Sequence, residues 1–126
     1  MRIPIQVRYS DYDDRGHVNN AVYFTYFELG RMEAWTRIAP GAEAGFIVAQ
    51  AQIAYRSPAM PGDQLMLELS LGELRTKAWV WKYRLLDASD DRLIADGETT
   101  QVMYDYATRK SVAISPELRE KLASLA

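Results

Sequence analysis

The sequence predicts an α+β fold: a curved, mainly antiparallel sheet of five strands wrapped around one long central helix. Three observations carry that expectation. Residues 20–36 are apolar almost all the way round a helix, the segments after them alternate apolar and polar residues with period two, and short turn-forming stretches join those segments. A helix with almost no polar face is a buried helix. Successive strands with short connections pair antiparallel. A sheet that curls over the helix satisfies both demands.

Taken in order, residues 2–9 place Ile3, Ile5, Val7 and Tyr9 on one face and Arg2, Gln6 and Arg8 on the other, the alternation of a strand. Pro4 near its start suits an edge position. The polar stretch Ser10 to His17, with Gly16, reads as a loop, and Asn19 or Asn20 is a good helix N-cap. In the 20–36 helix, Val22, Tyr23, Phe24, Tyr26, Phe27, Leu29, Met32, Ala34 and Trp35 leave Glu28, Arg31 and Glu33 only a narrow margin. Gly30 in mid-helix costs about 1 kcal/mol against Ala, which points to close packing there. Strands are expected at residues 46–56, 65–71, 78–86 and 92–106, separated by the Ser57–Asp63 turn, the hairpin near Arg75 and Lys77, and Ala88–Asp91. Ser115, Pro116 and Glu117 open a short helix over 115–125. One curved sheet leaves a strand edge open, and dimerisation is the expected cover.

The 126 residues suit a single domain, 1–126, with a core that needs no disulfide or structural metal. There is no cysteine and only one histidine, His17. That excludes a cysteine nucleophile, a zinc finger and an iron–sulfur cluster, and leaves no multi-histidine metal site within one chain. Any serine–histidine–acid triad has to run through His17. A net charge of −2 offers no footprint for nucleic acid or an anionic membrane. No apolar run is long enough to span a bilayer, and the first residues enter an alternating pattern rather than a signal peptide, so a cytoplasmic setting is expected.

The segment Val7-Arg8-Tyr9-Ser10-Asp11-Tyr12-Asp13-Asp14-Arg15-Gly16-His17-Val18-Asn19-Asn20-Ala21-Val22-Tyr23 resembles the N-terminal signature of hotdog-fold acyl-CoA thioesterases. More narrowly, it is similar to the 4-hydroxybenzoyl-CoA thioesterase-like branch: a strand, Asp-x-Asp, a glycine, then HVNN opening the central helix. The resemblance continues through the helix, the 46–56 strand, the Pro58–Asp63 turn and the later strands. It implies hydrolysis of an acyl-CoA to acid and CoA without metal or cofactor. The second aspartate, Asp13, matches the family's carboxylate, acting as nucleophile or as general base for water. Asn20 falls where a backbone N–H polarises the thioester carbonyl. Some relatives have a histidine at that position and this chain does not. The family assembles as dimers, often paired into tetramers, with each site at a subunit interface, so a homodimer joined into a homotetramer is expected.

The residues themselves agree with those roles. A carboxylate just ahead of a helix start can attack a carbonyl or deprotonate water, while unpaired N–H groups receive the developing charge. A thiolate leaves readily, so no strong general acid is needed. Each candidate also has a plainer reading. Asp13 can be a turn residue bonding its own backbone, Asp11 a brace for the loop, and Asp14 with Arg15 a solvated pair. Gly16 can serve for its backbone angle or for contact with substrate. His17 can brace the helix entrance or orient water against Asp13. Asn19 and Asn20 can cap the helix and still meet substrate. Tyr23 and Phe27 can line an acyl pocket or belong to the core. Charged hairpin tips are usually just solvated, but the resemblance implies that basic residues near this edge and the last strand meet the CoA phosphates, which makes Arg56, Arg75, Lys77, Arg109 and Lys110 candidates. A non-catalytic acyl-CoA-binding protein of this fold, or a hydratase or dehydratase, is the alternative function. A hydratase commonly pairs a histidine with an acid, and here the one histidine sits in the thioesterase-like loop.

Overall fold

The computed structural model describes residues 1–126. Its elements are β1 (Arg2–Pro4), a single 3₁₀ turn at Tyr9–Asp11, α1 (Val22–Ile38), β2 (Phe46–Tyr55), β3 (Leu65–Leu74), β4 (Ala78–Asp87), β5 (Arg92–Asp105), β6 (Lys110–Ser111) and α2 (Pro116–Ala123). The sheet runs β1-β3-β4-β5-β2, with β6 paired to β5, and every pairing is antiparallel. β3, β4 and β5 are hairpin neighbours. The chain leaves α1 and returns as β2 on the far edge, paired to β5 from Phe46↔Met103 to Tyr55↔Ala95.

Strand alternation sends Leu67 and Leu69 of β3, and Trp79, Trp81, Tyr83 and Leu85 of β4, toward α1, where all are fully or almost fully buried. The helix answers with Tyr23, Tyr26, Phe27, Gly30, Ala34, Trp35 and Ile38. Phe27 stacks on Tyr83 with ring centroids 4.2 Å apart. Gly30 seats the helix on β3, since a Cβ there would lie 2.6 Å from Leu67 Cδ2. Gly97 does the same at β5, where a Cβ would overlap the Gln52 carbonyl oxygen and come within 3.0 Å of Phe27. These two glycines bring the helix down onto the sheet. No helix is long and apolar enough to cross a membrane.

Five expectations need correction in detail. The sheet has six strands rather than five, because the chain turns at residues 106–109, with Arg109 at φ +58°, and returns as β6. The first segment is a strand only over Arg2–Pro4; the carboxylate of Asp11 accepts from the Arg8 backbone N–H at 2.9 Å and curls the chain out of the sheet. The helix starts at Val22, two residues later than expected, and ends at Ile38. Its N-cap position is Ala21, with no side-chain cap; Asn19 Oδ1 instead accepts from Ala21 N–H at 2.9 Å, a turn just ahead of the helix. Finally, α1 is not enclosed on all sides within one chain: Phe24, Leu29 and Met32 are 39%, 47% and 50% exposed. A single sheet covers one side of a cylinder, and the opposite flank stays open.

Candidate active site

Residues 11–20 connect the first strand to α1 and are held from below by Asp11. Its side chain is 1% exposed. It accepts from Arg8 N–H, from the Arg8 guanidinium and from the Tyr26 hydroxyl at 2.9 Å, while its backbone carbonyl accepts from Asn19 N–H at 2.8 Å. Burial alone would favour the neutral acid, but the hydrogen bonds from Arg8 and Tyr26 outweigh it and hold the carboxyl below its ordinary value. Asp11 is thus the brace of the loop. Burial, with the Asp11 charge beside it, pushes the Tyr26 phenol up in turn, so the phenol stays a donor.

Asp13 sits above that brace and is partly exposed. Its Oδ1 accepts from Arg15 N–H at 2.8 Å and from His17 N–H at 3.2 Å, and these bonds keep the carboxyl below its ordinary value. Its backbone N–H donates to the His17 carbonyl at 2.7 Å. Both bonds fall on Oδ1, so Oδ2 has no protein partner. Gly16 closes the loop at φ +80°, a conformation that favours glycine. A Cβ there would meet nothing, so the backbone angle is the requirement at this position.

The helix entrance lies alongside. Val18 N–H donates to the Ala59 carbonyl, Asn19 N–H to Asp11, Ala21 N–H to the Asn19 side chain and Val22 N–H to the Asn19 carbonyl. Between them, Asn20 N–H has no acceptor in the protein. Asp13, His17, Val18, Asn20, Tyr23, Tyr55, Arg56, Ser57 and Pro58 line one cleft of ≈ 320 Å³. The residue with an ionised carboxylate and one free oxygen, and the residue with an unpaired amide at the helix start, therefore line one cavity. That pairing suits acyl transfer, in which one group attacks or activates water and the other receives the oxyanion.

Other expected residues fall in different places. Asn19 spends its side chain on Ala21 N–H. Tyr23 reaches the cleft but is 2% exposed; its hydroxyl accepts from Ala59 N–H at 3.2 Å and ties the 57–59 segment to the helix. Phe27 is fully buried beneath the helix and is not among the lining residues. Arg56 lines the cleft and pairs with Asp96 at 3.1 Å. Arg75 and Lys77 sit at the β3–β4 hairpin, next to Met103 and the Phe46 end of β2, whereas the cleft is at the Tyr55 end. A larger hollow of ≈ 810 Å³ lies on the solvent face of the sheet. Its arginines are already paired with Glu68 and Asp96. Tyr55, Ser57 and Pro58 were not predicted as site residues. The readable signal for Tyr55 is its position as the last aromatic of a strand that ends at a Ser-Pro turn.

A long helix cradled by a curled antiparallel sheet is the hotdog fold. Residues 7–122 match the model of the thioesterase-like superfamily, and the chain belongs to that family. It is 30% identical over 130 residues to the long-chain acyl-CoA thioesterase FadM of Escherichia coli K12, covering 99% of this chain and 98% of that protein. It is 28% identical over 120 residues to the acyl-CoA thioester hydrolase YbgC of Escherichia coli O157:H7, covering 90% of this chain and 89% of that one. A thioesterase from Thermus thermophilus, complexed with coenzyme A and zinc, superposes with a TM-score of 0.89 at 27% identity, over 98% of this chain and 92% of that one. In the present chain no three His, Cys, Asp or Glu side chains converge in a way that could hold a metal ion.

Proposed function

We propose that the protein hydrolyses acyl-CoA thioesters, with Asp13 as the reacting carboxylate and the Asn20 N–H as oxyanion donor. The observation that carries this reading is the shared cleft, in which Asp13 has one oxygen bound and one free while Asn20 N–H is unpaired. The thioester carbonyl oxygen accepts from Asn20 N–H. Asp13 Oδ2 either attacks the carbonyl carbon or takes a proton from water that does. The C–S bond breaks, CoA leaves as thiolate, and water supplies the second oxygen of the acid. The positive end of α1 favours the charge that builds on the carbonyl oxygen. His17 lines the same cleft and is read as an orienting group for water or for Asp13.

The reading includes a homodimer joined along β2. That strand is the sheet edge, ten residues long, and Ile47, Val48 and Tyr55 are 37%, 40% and 45% exposed. Such an edge is normally covered. Two β2 edges paired antiparallel about a two-fold axis would set the Tyr55 end of one copy beside the Phe46 end of the other. The second copy's Lys77, Arg109 and Lys110 lie at that end and would face the site, where CoA phosphates need cations.

The test is thiol release from a panel running from benzoyl-CoA to palmitoyl-CoA, with wild type and Asp13→Asn. Asparagine can still accept both loop amides through Oδ1, so the loop is kept and only the reacting oxygen is lost. Turnover should fall at least about 100-fold. Near-normal turnover by Asp13→Asn, or no hydrolysis of any panel member by wild type, would refute the reading.

A further inference from the structure

We propose that Tyr55 is a positioning residue for this site: its hydroxyl holds the Asn20 peptide so that the Asn20 N–H faces the cleft. The proposal rests on the reading of Asp13 and Asn20 above and adds a group that steadies the donor's direction.

Tyr55 is the last residue of β2 and lies 35 positions away from Asn20 in sequence. Its Oη donates to the Asn20 carbonyl at 2.9 Å. Its ring meets Tyr23 edge-on, with centroids 5.3 Å apart at 76°. The strand stops immediately afterwards, because Arg56 N–H and Ser57 N–H both donate to the Ile94 carbonyl, at 2.8 and 3.0 Å. Tyr55 shares its strand face with Ile53, which packs against the core, so alternation puts it on the helix side of the sheet.

The consequence follows from peptide planarity. The Asn19 carbonyl and the Asn20 N–H belong to one rigid plane, and the Asn20 carbonyl belongs to the next. The first plane is fixed because the Asn19 carbonyl accepts from Val22 N–H at 2.9 Å. The second is held from both sides, by Tyr55 on the Asn20 carbonyl and by Asn19 Oδ1 on Ala21 N–H at 2.9 Å. With both planes held, the Cα of Asn20 cannot swivel, and the N–H it presents keeps one direction. Oxyanion donors work because they need no reorganisation as charge develops.

A purely structural role is a poor account of this contact. The contact is a single neutral hydrogen bond, whose net gain in stability is small. The value of the contact lies in orientation.

The experiment compares wild type, Tyr55→Phe and Asp13→Asn on benzoyl-CoA and decanoyl-CoA, using whichever wild type turns over faster. The melting temperature and the affinity for the matching CoA thioether, which lacks the carbonyl, are measured alongside. Complete loss of an oxyanion donor costs about 10²–10³ in kcat, so a misdirected donor should cost about tenfold. The expected result for Tyr55→Phe is kcat down about tenfold, KM and thioether affinity within about twofold, and an unchanged melting temperature. If Asp13→Asn is inactive while Tyr55→Phe keeps kcat within about twofold, the positioning role is wrong and the site reading stands. If Asp13→Asn is fully active, the site reading fails and takes the proposal with it. A Tyr55→Phe protein whose thioether affinity and melting temperature fall together with kcat overturns the proposal in favour of a structural role.

Discussion

Removing the Tyr26 hydroxyl should loosen the loop that carries Asp13, and the cost can be worked from the contacts. Tyr26 is 2% exposed and donates to Asp11 Oδ2 at 2.9 Å. The acceptor is a buried carboxylate, and hydrogen bonds to charged groups contribute about 1.5–3 kcal/mol. Tyr26→Phe keeps the ring and its packing against Tyr23, so the lost bond is the main term. Asp11 Oδ2 still accepts from Arg8 N–H, which places the loss near the middle of the range, about 2 kcal/mol. For a chain of 126 residues the unfolding entropy is about 0.26 kcal/mol per degree, so the melting temperature should drop by about 8 °C. Because Asp11 titrates below its ordinary value in the folded protein, the stability it contributes is present above the ordinary carboxylate pKa of about 4. That stability is lost as pH falls through the lowered value. The gap between wild type and Tyr26→Phe should therefore be full at neutral pH and shrink below about pH 4. Calorimetry at fixed protein concentration measures both effects. A cycle with Asp11→Ala should show the double variant little worse than the worse single one, since both remove the same bond. A Tyr26→Phe loss under about 0.5 kcal/mol, or a gap that widens in acid, would refute the reasoning.

Three further outcomes are expected. The two amides that hold Asp13 ionised place the acid limb of the kcat/KM profile below the ordinary carboxylate range; an acid limb above about pH 5 in a protein still folded there would contradict that. Gly97→Ala drives a methyl group into the Gln52 carbonyl, which cannot retreat without parting β2 from β5. It should cost at least about 3 kcal/mol in urea denaturation, beyond the usual effect of overpacking. Ala51→Glu, near the middle of β2, places like charges across a two-fold axis; sedimentation should shift from dimer to monomer and thioester hydrolysis should fall with it.

Much of this protein is legible before folding is considered. Period-two runs such as Leu65, Leu67, Leu69 and Leu71 fixed the strands to within a few residues, because strand alternation is local. The loop from Asp11 to Asn20 carried the family, since turn chemistry and the helix start are written in adjacent residues. Other features depended on contacts between distant segments. The alternation over residues 2–9 did not keep that stretch in the sheet, because Asp11 recruits Arg8 and Tyr26. The apolar circumference of α1 did not reveal which flank a single sheet leaves open. Phe27 reads like Tyr23, yet only tertiary packing sends one beneath the helix and the other to the cleft. Tyr55 looked like one more strand residue; 35 positions separate it from Asn20, and only the folded chain brings its hydroxyl to the Asn20 carbonyl. Sequence by itself determined the elements to within a few residues and the loop that carries Asp13, because those depend on neighbours along the chain. Tertiary structure alone decided which flank of α1 stays open and which remote groups reach the loop, Tyr26 under Asp11 and Tyr55 beside Asn20, because those partners are allotted only once distant segments meet.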